Sequence, residues 1–143
     1  MDKIELNKKL IVALDNKDMD AIKECVEQGA DVNTFEIDGK KYNPLYCCII
    51  TENAKALDYL IKNGADVTEK LGNRKQSLLF CACAQENPSI FMIAKILENG
   101  GTQDVHYAPE GARSPMDLAK EANNQYLVQT FNRAIRNTQN KGR

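Results

Sequence analysis

Residues 43–67 read NPLYCCIITENAKALDYLIKNGADV, and this stretch decides the fold. It opens on a polar residue followed by proline. Asn43 suits the position just before a helix, where its side chain accepts a free backbone N–H. Pro44 suits the first helical position, where its missing N–H costs nothing. The stretch closes on Gly64, a residue that readily takes the left-handed conformation ending a helix. Between these marks lie two short helices.

The same landmarks return along the chain. Gly29-Ala30-Asp31-Val32-Asn33 precedes Gly64-Ala65-Asp66-Val67-Thr68 by 35 residues, and Gly100-Gly101-Thr102 follows 36 later. Asn43-Pro44-Leu45-Tyr46 is echoed by Ser77-Leu78-Leu79-Phe80 after 34 residues and by Ser114-Pro115-Met116-Asp117 after a further 37. Counting back from Gly29 puts an earlier opening at Lys8-Lys9-Leu10-Ile11. Four units result, over 6–33, 41–68, 75–101 and 112–136, forming one repeat domain across 1–136. A polar, basic tail over 137–143 is expected to fray.

Aligning the units exposes columns. The sixth residue is always small: Ala13, Cys48, Ala82 and Ala119. The third is Leu10, Leu45, Leu79 and Met116. In the second helices, Ile22, Leu57 and Ile93 align, then Cys25, Leu60 and Ile96, then Val26, Ile61 and Leu97. The third unit joins these columns only with a two-residue insertion around Asn87-Pro88. A pair of short helices cannot bury its apolar face alone, so neighbouring units must stack.

These residues resemble the ankyrin repeat family, which opens its first helix with Thr-Pro-Leu-His and ends its second with Gly-Ala-Asp-Val-Asn. The resemblance implies an all-α solenoid of helix-turn-helix repeats joined by short β-hairpin-like fingers. It also implies non-catalytic binding of a partner protein, in a groove lined by the first helices and at the finger tips. On this sequence those positions are Phe35, Ile37, Lys41 and Tyr42 on the first finger, and Arg74 and Gln76 on the second. Val105, His106, Tyr107 and Arg113 fall on the third, with Ile50 and Gln85 at helix ends. The family's His position carries Ile11, Tyr46, Phe80 and Asp117, so its usual hydrogen-bonding role is absent. The fourth unit lacks a closing glycine, and its second helix is expected to run through Arg136. Nothing in the repeat requires Phe35, Ile37, Tyr42 or Ile50 to be apolar. They read either as interface anchors beside Lys and Arg or as local packing of connectors that fold back.

Composition excludes other classes. Of 143 residues, 43% are hydrophobic and 27% charged, as in globular domains. No apolar run is long enough for a membrane helix, and the charged start Met1-Asp2-Lys3-Ile4-Glu5 has no signal core. Lys and Arg total 19 against 20 Asp and Glu, which gives no global reason to bind nucleic acid. The balance is uneven: residues 1–121 carry 15 basic and 20 acidic groups (-5), and 122–143 carry four basic and none acidic (+4). A tail nucleic-acid binder is the weaker reading, since no aromatic platform accompanies the charges. Arg133 and Arg136 also suit a helix C-terminus.

The five cysteines are Cys25, Cys47, Cys48, Cys81 and Cys83. Their odd number and adjacent pairs argue against a disulfide framework and for a reducing, cytoplasmic setting. Delivery into a host cell is not distinguished from this by the sequence. Adjacent and alternate helix positions do not turn two thiols toward one ion, so no metal site is expected. A thiol enzyme pairing Cys81 or Cys83 with His106, the single histidine, is the formal catalytic alternative. The expectation is therefore a monomeric protein-binding chain with no cofactor and no small-molecule substrate. Its partner is not named by the sequence.

Overall fold

The computed structural model describes residues 1–141. The elements in chain order are α1 (Lys3–Asp15), α2 (Met19–Glu27), β1 (Phe35–Ile37), β2 (Lys40–Tyr42), α3 (Pro44–Ile50) and α4 (Ala54–Lys62). There follow β3 (Lys70–Leu71), β4 (Gln76–Ser77), α5 (Leu78–Cys83), α6 (Ile90–Glu98), a 3-10 turn (Gly101–Asp104), α7 (Pro115–Glu121) and α8 (Gln125–Lys141). Helix pairs with hairpin fingers are thus present as expected.

Local chemistry explains the boundaries. Asn43, Ser77 and Ser114 accept the N–H groups of Tyr46, Phe80 and Asp117 at 2.9, 3.0 and 3.1 Å. Asp18, Asn53 and Ser89 do the same for the second helices at 3.2 Å each. The second helices close as expected on Gly29 and Gly64, with φ of 108° and 99°. Gly64 N–H donates to Ile61 O and Ala65 N–H to Leu60 O, the paired bonds of a Schellman turn.

Three of the first helices, α1, α3 and α7, end in the same way without glycine. Lys17 and Glu52 sit at φ 56°, and Asn123 at 53°. Asp18, Asn53 and Asn124 N–H groups reach back to Ala13, Cys48 and Ala119 carbonyls at 3.0, 2.8 and 2.9 Å. The repeat period therefore governs backbone strain as well as side-chain columns.

Three boundaries differ from expectation. The first helix begins at Lys3, well before Lys8, because Asp2 caps it by accepting Glu5 N–H at 2.9 Å. The last helix reaches Lys141, so residues 137–141 are helical, not frayed; 142 and 143 lie outside the described residues. The third connector holds a 3-10 turn in place of a hairpin.

The chain comprises two compact units, Met1–Asp66 and Val67 onward. In the first, α1 packs on α2 and α3, and α3 on α4. Leu10, Leu14, Ile22, Ile49, Cys48, Leu57 and Leu60 form its solvent-free core. In the second, α5 packs on α6 and α7, and α7 on α8, around Leu79, Ile93, Ile96 and Phe131. The aligned column residues are buried in both units, except that Val26 and Ile61, in the last column of the second helices, are half-buried beside buried Leu97.

Candidate protein-binding surface

The first finger is built on a two-residue turn. Asp38 (φ 52°) and Gly39 (φ 80°) both take positive φ, as a type I′ hairpin turn requires. The strands pair Phe35 with Tyr42, Glu36 with Lys41 and Ile37 with Lys40. Phe35 is only 7% exposed. Its ring lies 6.0 Å from that of Tyr42, and β1 packs against α1. Phe35 is therefore packing and not an anchor, which corrects the exposed reading. Tyr42 and Ile37 are half-buried, and Lys41 is exposed. The Lys40 ammonium sits 5.6 Å from the Tyr42 ring centroid.

Beside this finger, α3 turns two large apolar groups to solvent. Tyr46 is 40% and Ile50 50% exposed. Four residues apart, they lie one above the other on one helix face. The preceding repeat places Ile11, half-buried, and exposed Asp15 at the matching positions of α1. The open side of the first helices in this unit is thus apolar with a charged edge.

The second unit is organised by polar contacts. Its finger pairs Lys70 with Ser77 and Leu71 with Gln76. The loop between them needs positive φ at Gly72 (69°) and Lys75 (58°). Arg74 is exposed at the tip. Below it, Lys70 Nζ lies 2.6 Å from Asp104 Oδ1, and Asp104 is 2% exposed. The same ammonium donates to Thr68 O at 3.2 Å and lies 4.4 Å from the Tyr107 ring centroid. Tyr107 hydroxyl donates to Lys75 O at 2.6 Å.

This brace was not anticipated from sequence. Its one legible trace is the 34-residue separation of Lys70 and Asp104, one repeat period. Tyr107 is consequently committed to holding the finger loop. Val105 is fully buried. Gln85 donates its amide to Cys81 O at 3.0 Å, and Arg113 is paired with Glu121. Gln76 is half-buried, with Oε1 enclosed and unpaired among the described residues. His106 stays exposed.

The thiols are poorly disposed for catalysis. Burial pushes Cys47 and Cys81 up to about 11, and Cys48 and Cys83 up to about 12. Burial raises Cys25 as well. Nucleophilic cysteines need the opposite shift, since the thiolate is the reactive form. His106 lines a recess with Ile135 and Thr138, whereas Cys83 lines another with Leu118 and Asn123. The pairing of Cys81 or Cys83 with His106 therefore gains nothing from the geometry. Among the described residues, no group of three or more His, Cys, Asp or Glu side chains is placed to hold a metal ion. No helix among them is long and apolar enough to cross a membrane.

Residues 10–61 match the family model described as ankyrin repeats (many copies). No curated protein matches the chain. The matched stretch runs from α1 to α4 and contains the first finger, so this part of the chain is similar to ankyrin repeats. The later helix pairs and second hairpin follow the same plan. Ankyrin repeats are in general protein–protein interaction modules.

Proposed function

We propose that the chain is a non-catalytic protein-binding module. Its first unit takes a partner on the open side of α1 and α3, beside the first finger. The observation carrying this reading is the exposure of Tyr46 and Ile50 on one face of a helix whose other large apolar residues, Leu45 and Ile49, are buried. Exposed aromatic and aliphatic groups of this kind act as anchors that fill a partner's pockets. Ile37 and Tyr42 extend the apolar surface, and Lys41 supplies rim charge that steers encounter. Paired helices hold these groups rigidly, so little ordering entropy is lost on binding.

In the second unit, Arg74 and His106 are the side chains best exposed for contact. Tyr107, Gln76, Gln85 and Arg113 shape the loops that carry them. Five thiols without a disulfide suit a reducing compartment.

The test is partner capture from native lysate by wild type and by Tyr46→Ala/Ile50→Asp. The variant is expected to capture at least about tenfold less at an unchanged melting temperature, as for loss of anchor residues. Equal capture by both proteins would remove this face from the reading.

A further inference from the structure

The first repeat has an open groove of about 520 Å³ between α1 and α2. Its lining follows the repeat period. Val12, Ala21 and Cys25 correspond, 35 residues on, to Cys47, Ala56 and Leu60. In the second repeat this face is covered: Ala56 and Leu60 are 0% exposed. It is where the first repeat stacks, with α1 packed on α3. Lys17 Nζ reaches Glu52 O at 3.5 Å, and the Lys23 ammonium lies 5.9 Å from the Tyr59 ring centroid. In the first repeat the same face is more open at its rim, with Val12 58% and Met1 65% exposed and Ala21 half-buried, over a floor that includes Cys25, 6% exposed.

We infer that this open face is a self-association surface that takes a second copy of the chain across a two-fold axis. Charge selects that occupant. The α1 side of the groove carries Lys8 and Lys9, and the α2 side carries Asp18 and Glu24. Lys8 and Lys9 have no ion-pair partner among the described residues. The two helices form a hairpin joined at residues 16–18, so Lys9 and Glu24, both lining the groove, lie toward its end away from that turn.

A two-fold axis parallel to the helices sets α1 of one copy on α2 of the other and keeps these ends together. Lys9 then faces the second copy's Glu24, and Val12 faces its Ala21. The face is self-complementary, and such contacts close at two copies. The chain is then a dimer where sequence alone suggested a monomer.

Sedimentation velocity of the full chain over rising concentration tests this. Wild type is expected to show a monomer–dimer equilibrium, and Val12→Lys to remain monomeric with unchanged circular dichroism. Lys9→Glu and Glu24→Lys should each weaken association at least about tenfold, and the double reversal should restore it. A monomer at every concentration up to ~1 mM, on the weak limit of specific affinity, would overturn the proposal. So would growth beyond two copies, indifference to Val12→Lys, or a double variant no tighter than the singles.

Discussion

The two fingers reach similar hairpins by different means. The first closes on Asp38-Gly39, keeps three residue pairs and buries an aromatic ring against α1. The second has a longer loop, two residue pairs and a buried ion pair beneath it. Apolar burial is non-directional and tolerates small shifts. A buried charge pair is directional, and it destabilises strongly when one member is lost. The difference teaches that an equivalent place in a repeat is stabilised by whatever the neighbouring connector supplies. For the second finger that neighbour is the 3-10 turn carrying Asp104.

Substitutions can break this contrast. The largest expected effect is from Phe35→Ala, a loss of about 3 kcal/mol in urea unfolding, the low end for a buried aromatic. A loss under about 1 kcal/mol, the range of ordinary surface sites, would show that the first finger does not rest on this ring.

Next is Lys70→Met, which leaves the Asp104 carboxylate buried without its cation. About 2 kcal/mol is expected, below the usual range for a buried pair because the Lys70 side chain is 26% exposed. Adding Asp104→Leu should recover most of the loss. A double variant as unstable as the single would mean that packing, not charge, holds this finger.

Gly39→Ala is expected to cost about 1 kcal/mol, because its φ of 80° disfavours any Cβ. Lys75→Gly should do the reverse in the second finger, gaining about 0.5 kcal/mol by relieving φ 58°. Equal signs for the two would erase the contrast in loop strain.

The thiols provide a point where the units agree. Each unit pairs a half-buried cysteine with a buried one, and burial raises all four folded-state values. Their neutral forms therefore contribute stability that is complete below the ordinary value of 9.0 and is lost as pH rises toward about 12. Urea midpoints followed through that window should fall. Replacing Cys48 and Cys83 with Ala should flatten the fall, and an equally steep profile would contradict the assignment.

Much of the fold was legible because the repeat writes its boundaries in local chemistry. Asn43 before Pro44, Ser114 before Pro115, and Gly64 after an apolar helix each specify one backbone conformation. The second-helix caps Asp18, Asn53 and Ser89 and the Asp38-Gly39 turn carry local signals of the same kind, but the repeat landmarks draw the reading to the first helices and these are missed. The candidate surface was less legible. Exposure of Phe35 and Ile50 cannot be told from composition, since both are apolar residues beside loops. What separates them is that α1 packs against β1, which carries Phe35, while Ile50 on α3 stays 50% exposed. Lys70 and Asp104 were hidden for another reason. Charged residues are rarely buried unless paired, and the partner lies a full repeat away.

The central claim is that the first unit binds protein through the open side of its first helices. It is tested most directly by nuclear magnetic resonance of the isotope-labelled chain titrated with its captured partner. The account predicts the largest shift changes at Ile37, Tyr46 and Ile50. Changes concentrated instead at Lys23 and Tyr59, on α2 and α4, would contradict it.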